Sequence, residues 1–451
     1  MAAAHAARRS DRPGGRAGSS AAPRTGTSAP TIEYNILLTA TLCLLAAGTV
    51  MVYSASSAPS LLQGGSGAGT AVKFVAFGAV GLVLMRAFAR QGLELARRIT
   101  GPLLAISFVL VLAVHLPHVG VSVNGARRWL GVGPLQFQPS ELMKLALVLY
   151  TAELLARRPR RVQSLGELFR PLLVVVGAAT AVVASQPDIG TAMVIAFTVT
   201  ALLVAVGTPL RLLGILAGGA IAVIVLFALV QPYSRSRLTS FIDPWSHAHS
   251  SGFQAVQGQI AIGTGGLFGR GPGQSVQKVF YLPEASTDFI LAVIGEELGV
   301  VGISALLFLY GLIAFAGLRA AKRARSLYSA LIAVGVTALI VSQALLNVFA
   351  VLGLAPLTGV PLPFISYGST NLIVMLGAMG LLLNVAGGGN AHVRAVPAGA
   401  DVDPGAREGD RRRAEPARWG DGRERDEDRD RRRRDGGTRR SGARGRGGAS
   451  R

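Results

Sequence analysis

Three acidic side chains lie near the beginning of one long apolar segment, where carboxylates could take part in catalysis or bind a cation. Asp288 precedes the apolar run 289–294, Glu296 and Glu297 interrupt it, and apolar residues then continue to Phe315. Ionisable groups are costly inside a membrane and therefore indicate a function by default. A carboxylate at the water boundary can act as a general base or bind a cation, and the alternative is that it only complements a helix dipole.

The spacing of these acids decides which of them can act together. If Ser286 is the N-cap of a helix, Asp288 lies in the first turn. At about 100° per residue, Glu296 then lies about 80° from Asp288 around the helix axis, whereas Glu297 lies about 180° away. We therefore predict that only Glu296 shares the face of Asp288.

The segment 125–144, GARRWLGVGPLQFQPSELMK, contains a second group of polar residues. The adjacent Arg127 and Arg128 carry forked donors that suit phosphate. Trp129 suits either a membrane interface or the face of a sugar. This segment is therefore a candidate binding site for a phosphorylated ligand.

Two further charged groups are open to a structural and a functional interpretation. Pro139 suits the first position of a helix, so Glu141 and Lys144, three residues apart, would share one helix face. They can form an ion pair within the membrane, which does not exclude a substrate site. Asp188, in the sequence SQPDIGT, can cap a helix or belong to the same site.

Composition places these residues in a membrane. Half of the 451 residues are hydrophobic and the mean hydropathy is +0.46, which excludes an ordinary soluble domain and predicts an all-α polytopic membrane protein. The net charge of +21 lies largely in the two tails and in short loops, so it indicates topology and anionic lipid and not nucleic acid. The single cysteine, Cys43, is expected to be a buried, inert thiol.

Ten apolar runs approach the roughly 20 residues that a bilayer requires. They are 35–56, 70–89, 101–119, 140–156, 171–185, 189–207, 211–231, 288–318, 328–350 and 367–386. Residues 34–386 are thus predicted to form a ten-helix transmembrane domain. Residues 1–33 and 387–451 are too polar or too poor in apolar periodicity to bury a core, and we predict disordered tails there.

Basic residues predict the orientation of these spans. Arginines follow the second, fourth, sixth and eighth runs, on the side of both tails, so the termini are expected to be cytoplasmic. Against this rule, the opposite side carries Arg127, Arg128, Arg235, Arg237, Arg270 and Lys278. These outer charges need another explanation, such as a ligand.

Two irregular segments are predicted beside the outer face. The loop 232–287 is too long for a simple connector, and its middle, 253–268, is expected to lie on the membrane or re-enter it. The segment 353–367 is rich in proline and glycine, and broken backbone of this kind is tolerated at membrane depth only where it is buried or lines a cavity.

The predicted topology brings the charged residues to one membrane face, and this set suits a lipid-linked diphosphate. Arginines could hold the diphosphate while a carboxylate takes a proton from an attacking hydroxyl. The sequence shows no His/Cys zinc cluster and no Ser-His-Asp arrangement. A divalent cation, Mg²⁺ or Mn²⁺, bridging carboxylates and phosphate oxygens stays open, with Asp288 as its ligand.

These motifs resemble the SEDS family, which includes RodA, FtsW and SpoVE. The resemblance covers nearly all of residues 34–386 and is carried by GARRWL with FQPSELMK, by QPDIGT, by the stretch from GFQAVQGQ to LPEASTDF and by GVPLPFISYGST. It implies a peptidoglycan glycosyltransferase that polymerises lipid II, the undecaprenyl-diphosphate-linked disaccharide pentapeptide. It also implies a class B penicillin-binding protein and other division proteins as partners, in the bacterial cytoplasmic membrane.

By resemblance, the family's essential acid corresponds to Asp288. Its polar cavity residues correspond to Arg127, Arg128, Trp129, Gln138, Glu141, Lys144 and Asp188. Lys278 and Glu296 join this set as candidates from their positions around Asp288. The family usually has histidine where this chain has Ser286, so no imidazole is expected at that position.

The sequence leaves three functions open. The first is glycosyl transfer, and the LPEA and PLPFISYG patterns look more like the division and sporulation members, which favours septal wall synthesis. The second is transport of lipid II across the membrane, which discontinuous helices would suit. The third is a non-catalytic division scaffold. Charges that cluster at one face, and not along a path between faces, favour the enzyme.

Overall fold

The computed structural model describes residues 31–62, 64–117, 119–123, 126–132, 135–157, 172–279 and 281–388. All of them belong to one compact unit, Met1–Ala391. The second unit, His392–Arg451, lies outside the described residues. The two predicted tails are likewise outside this part of the chain, apart from a few residues at their inner ends.

Helices form most of the described chain. They are α1 (Ile32–Leu62), α2 (Gly69–Ala113), α3 (Pro139–Arg157), α4 (Val174–Ser185), α5 (Ile189–Ala205), α6 (Leu210–Val230), α7 (Pro232–Ile242), α8 (Phe253–Gly265), α9 (Ile290–Arg323), α10 (Leu327–Val351) and α11 (Ser369–Ala386). Among the described helices, six are long and apolar enough to cross a membrane: α1, α2, α6, α9, α10 and α11. The protein is therefore a multi-pass membrane protein.

Helix α2 covers the predicted apolar run 70–89 and the run 101–119 as far as Ala113, and its backbone is non-helical at Gly92 between them. Helices α4 and α5 are apolar but shorter than 18 residues. Helices α10 and α11 form the interior, where α10 packs against α9, α5 and α3, and α11 packs against α2. Helices α10 and α11 are thus the most buried of the long apolar helices.

Helix α9 is broken at Gly299, where φ is +66°. The break frees backbone groups that the loop after α8 satisfies: Arg270 N donates to Glu296 O at 2.9 Å, and Val300 N donates to Gly266 O at 3.0 Å. A Cβ at Gly299 would lie 2.4 Å from the carbonyl oxygen of Leu267, so this crossing requires glycine. The loop is therefore fixed to the middle of a membrane helix.

A three-stranded antiparallel sheet corrects the all-α prediction. Its strands are β1 (Gly120–Val123), β2 (Ala126–Val132) and β3 (Leu135–Phe137), in the order β1-β2-β3. The segment contains three valines, one tryptophan and one phenylalanine, which favour strands, but each strand is too short for its period to be recognised among the arginines and glycines. The sheet connects α2 to α3.

The second strand contains an extra residue. Val121 is opposite Trp129 and Ser122 is opposite Arg127, so Arg128 has no partner in β1. Such a bulge bends the strand and re-aims side chains away from regular alternation. It lies in the segment that the sequence singled out for its adjacent arginines.

Two local predictions were wrong. Helix α9 begins at Ile290 and not after Ser286, so Asp288 precedes the helix instead of lying in its first turn. The backbone before it instead forms a turn in which Thr287 N and Phe289 N both donate to Glu284 O. Cys43 is exposed on α1, because its helix face is not covered by other described elements.

Candidate functional site

A cavity of about 440 Å³ opens between the sheet, α7, the loop before α9 and the segment 359–368. Four predicted site residues line it: Arg128, Trp129, Gln138 and Asp288. The other predicted residues lie behind its wall or elsewhere. The structure therefore divides the predicted set into a part that faces the cavity and a part that does not.

Asp288 is held at the cavity by one hydrogen bond to its backbone and one to its side chain. Its carbonyl oxygen accepts from Asn347 Nδ2 at 2.7 Å, and its carboxylate accepts from Thr287 Oγ1 at 2.7 Å. Burial raises the pKa of this carboxyl above its ordinary value, the negative charge of Glu284 adds to the rise, and Thr287 and Arg237 oppose it. A carboxylate with a raised pKa is a stronger proton acceptor near neutral pH.

Three charged groups converge on Gly359, whose φ is +67°. A Cβ built on this glycine would lie 3.4 Å from Arg237 Nη1, 3.5 Å from Asp288 Oδ2 and 3.7 Å from Arg128 Nη1. The missing side chain leaves room at this point for a ligand atom. A group there could contact two guanidinium donors and one carboxylate at the same time.

Arg128 is fixed by the bulge and by the turn before α5. Its Nε donates to Gln186 O at 3.2 Å, its Nη2 donates to Pro187 O, and its Nη1 lies 3.9 Å from Asp188 Oδ1. Arg127, its neighbour in β2, is exposed and does not line the cavity. The two adjacent arginines are therefore not equivalent.

Asp188 is the N-cap of α5, as the structural interpretation predicted. Its Oδ1 accepts from Thr191 N at 3.3 Å, and its Oδ2 accepts from Ser140 Oγ at 3.0 Å and Gln138 Nε2 at 3.2 Å. The side chain is buried. Asp188 thus supports two cavity residues, Arg128 and Gln138, from behind.

The predicted ion pair between Glu141 and Lys144 is present and fully buried, with Lys144 Nζ 2.9 Å from Glu141 Oε1. Lys144 also donates to Gln343 Oε1 at 2.6 Å, and Glu141 Oε2 accepts from Asn371 Nδ2 at 2.6 Å. Asn371 lines the cavity. The ion pair therefore contacts the cavity wall through this amide and not directly.

Lys278 and Glu296 belong to a separate group of charges, which we call the buried acid cluster and define as Lys278, Glu296 and Glu297. Lys278 Nζ lies 2.7 Å from Glu297 Oε1 and donates to Ser54 Oγ at 3.0 Å. Glu296 accepts from the Ser275 hydroxyl at 2.5 Å and from two backbone amides of the same loop. None of the three residues lines the cavity with Asp288.

Sequence reasoning missed several residues of the cavity wall, of which Arg237, Tyr233 and Gly359 carry most of its geometry. Arg237 was noticed only as an outer charge that needed a ligand. Nothing in the spacing connected α7 to the segment around Gly359. Only the packed structure places them together.

The cavity offers a divalent cation two carboxylates, Glu284 and Asp288. No group of three or more His, Cys, Asp or Glu side chains that could hold a metal occurs within the described ranges. Mg²⁺ commonly takes one or two carboxylates together with substrate phosphates and water. A cation at this site would therefore need ligands from the substrate.

The sequence matches the FtsW/RodA/SpoVE model, described as cell cycle protein, over residues 35–389. A similar relative is stage V sporulation protein E of Bacillus subtilis (strain 168), 38% identical over 78% of this chain and 96% of that protein. Another is a probable peptidoglycan glycosyltransferase FtsW of Coxiella burnetii (strain RSA 493 / Nine Mile phase I), 39% identical over 77% of this chain and 94% of that protein.

Solved structures show the same likeness. One is a chain from work on the structural coordination of polymerization and crosslinking by a peptidoglycan synthase complex, with a TM-score of 0.63 and 29% identity, covering 78% of this chain and 96% of that one. Another is the rod shape determining protein RodA of Thermus thermophilus, with a TM-score of 0.55 and 29% identity, covering 77% of this chain and 95% of that one.

Proposed function

Since the chain belongs to the FtsW/RodA/SpoVE family of cell cycle proteins, we propose that it is a peptidoglycan glycosyltransferase. It polymerises lipid II into glycan strands on the outer face of the bacterial cytoplasmic membrane, in septal wall synthesis during division. Asp288 is its catalytic residue, and Arg128, Trp129 and Gln138 bind substrate at the cavity. Glu141, Lys144 and Asp188 position these groups.

The observation that carries this proposal is the convergence of Asp288, Arg128 and Arg237 on Gly359, next to an open cavity. Glycosyl transfer from a diphosphate carrier needs a base for the attacking hydroxyl and positive charge for the leaving diphosphate. A carboxylate with a raised pKa supplies the first requirement, and fixed guanidinium groups supply the second.

The step that we propose is a direct displacement at one sugar carbon. Asp288 takes the proton of the 4-hydroxyl on the incoming lipid II as that oxygen bonds to C1 of the growing glycan. The bond between C1 and the carrier diphosphate breaks, its electron pair goes to the diphosphate oxygen, and the arginines stabilise the charge that develops there. The products are a glycan longer by one disaccharide and a free polyprenyl diphosphate.

Polymerisation by the purified protein is the test of this function. We would incubate the full chain in detergent with lipid II, with and without a class B penicillin-binding protein and with Mg²⁺, Mn²⁺ or a chelator, and separate the products by gel electrophoresis. Glycan ladders from wild type and none from Asp288→Asn are expected. Lipid II translocation in vesicles without any polymer, with or without the partner, would instead establish a transporter.

The proposed orientation, with both termini cytoplasmic and the loop 232–287 outside, has its own test. Cys43 is exposed and must be replaced first, after which His249→Cys, also exposed, reports on the loop. A membrane-impermeant maleimide should label His249→Cys from the outer side. Labelling only from the cytoplasmic side would contradict the orientation that the basic loops predict.

A further inference from the structure

We propose that Arg237 is a substrate-binding residue that forms, together with Arg128, a clamp for the diphosphate of a polyprenyl-linked ligand in front of Gly359. The proposal deepens the proposed function, because it identifies which part of the substrate this wall of the cavity binds. The anion-binding property itself does not require that the protein polymerise anything, so the two can fail separately.

Arg237 is held in one orientation by α7 and its neighbours. Its Nη1 donates to the carbonyl oxygen of Leu357 at 3.2 Å, and its guanidinium lies 4.6 Å from the centre of the Tyr233 ring. A guanidinium carries five N–H donors, and the structure shows one of them donating to protein. The side chain is thus fixed while most of its donors stay available to a ligand.

The two arginines approach the same point from opposite elements. Arg128 comes from the bulge in β2 and Arg237 from α7, and the Tyr233 ring lies beside both, 5.5 Å from the Arg128 guanidinium. Their Nη1 atoms would contact one Cβ position at Gly359, at 3.7 and 3.4 Å. Paired guanidinium groups that are already oriented match the oxygens of a diphosphate.

Direct ion pairing also differs between the two arginines, and it leaves Arg237 open to an anion. Arg128 has Asp188 at 3.9 Å, whereas in the part of the chain that the structure describes no carboxylate lies within 4.0 Å of Arg237. Asp288 faces the same point but forms no ion pair at this distance with either arginine. Arg237 therefore has no direct ion pair among the described residues, although Glu284 and Asp288 line the same cavity.

The neighbouring space indicates which kind of diphosphate fits. Tyr233 and Arg237 also line a second cavity of about 350 Å³, whose other walls are mainly apolar residues of α5 and α6. Helix α7 therefore stands between a charged cavity and an apolar one. A diphosphate that carries an apolar chain could use both, whereas free pyrophosphate could use only the first.

The test measures binding of two probes by the purified full chain in detergent: farnesyl diphosphate and inorganic pyrophosphate. Calorimetric titration of wild type is compared with Arg237→Gln and Arg237→Lys. The matched control is Arg235→Gln, because Arg235 lies on the same helix and is exposed away from the cavity wall. The melting temperature of each variant is recorded alongside.

We expect Arg237→Gln to weaken farnesyl diphosphate binding by about 10- to 100-fold, since charge-assisted hydrogen bonds are lost. The affinity of Arg237→Lys should lie between those of wild type and Arg237→Gln, because lysine keeps the charge but lacks the forked donors of arginine. Arg235→Gln should match wild type, and wild type should bind pyrophosphate more weakly than farnesyl diphosphate.

Equal affinities for Arg237→Gln and Arg235→Gln would overturn the clamp, and a lower melting temperature without loss of affinity would assign Arg237 to the fold. Equal affinities of wild type for the two probes would overturn the polyprenyl part of the proposal. If the clamp is confirmed but lipid II is not polymerised, the proposed function fails while the diphosphate site stands.

Discussion

The cavity around Gly359 and the buried acid cluster contain similar charged groups, but these groups differ in how they are paired. In the cluster, Glu297 accepts from Ser54, Gly273 N and Lys278, so each charge meets a partner from the chain itself. In the cavity, Asp288, Arg128 and Arg237 face one point without pairing with one another within 4.0 Å. Unlike the cluster, the cavity leaves charged atoms available.

This contrast gives a criterion that separates structural from functional charges in a membrane protein. The charged side chains of both regions are costly to bury, and in the sequence both groups indicated a function. A charge whose donors and acceptors are used by its own fold stabilises that fold once it is formed. A charge that keeps unused donors beside a cavity is available to a ligand.

The largest effect is expected from Asp288→Asn, which keeps the size of the side chain and removes its charge. Loss of a general base typically lowers turnover by about 10²- to 10⁴-fold. Asp288 has no ion pair within 4.0 Å among the described residues, so we expect the melting temperature to stay close to that of wild type. Turnover above about a tenth of wild type would exclude Asp288 as the base.

The second prediction concerns stability in the buried acid cluster. Lys278→Met leaves Glu297 buried without its cation, which typically costs about 3–5 kcal/mol. A large fall in melting temperature is expected, with part of it recovered in the double variant Lys278→Met/Glu297→Gln. As a matched control, Arg98→Ala removes an ion pair in which both side chains are exposed, and it should change little.

If Lys278→Met instead abolishes lipid II turnover while the protein melts as wild type does, the distinction between the two regions is broken. The cluster would then have to be counted as part of the site. Turnover per folded molecule is therefore the quantity to measure, and not total activity.

The third prediction separates the adjacent arginines. Arg128→Ala should lower turnover at subsaturating lipid II by about 10- to 100-fold, because it removes charge-assisted hydrogen bonds at the cavity. Arg127→Ala should lie within a few-fold of wild type, since Arg127 is exposed and away from the cavity. Similar losses in both variants would contradict the separation that the bulge produces.

The smallest effect is a shift in pH dependence. The negative charge of Glu284 raises the pKa of Asp288, whereas Arg237 lowers it. Turnover should fall as the pH drops through the pKa of Asp288, because the base must be ionised. Glu284→Gln should therefore move the acid limb of the pH profile to lower pH, and Arg237→Gln should move it to higher pH. Shifts in the reverse directions would show that another group controls the limb.

The six described helices that are long and apolar enough to cross a membrane could be predicted from the sequence, because long apolar runs need little context. The count of ten spans stays a prediction. The Glu141–Lys144 pair and the cap at Asp188 followed from helical spacing alone. The sheet could not be predicted in this way, since its strands are short and Arg128 breaks their alternation.

Four residues of the cavity wall were among the predicted site residues, and the others were not, for a reason that lies in the geometry. Asp288 and Arg128 stood out because charges at a membrane face are unusual. Lys278 and Glu296 stood out for the same reason, yet both have partners within the fold. Lys278 pairs with Glu297 and donates to Ser54, which is distant in sequence. Glu296 lies 3.5 Å from Arg270 and accepts from the loop around Ser275. The sequence shows which residues are charged, but it does not show which of these side chains already form hydrogen bonds or ion pairs within the fold.

Because of the bulge in β2, the number of residues in this segment matters as much as their identity. A substitution at Arg127 changes a side chain that is exposed and does not line the cavity. Deleting one residue of 126–129 would restore a regular ladder with β1, and strand register would then turn a different side chain inward. Among natural variants, single-residue insertions and deletions should therefore be rarer here than exchanges of Arg127.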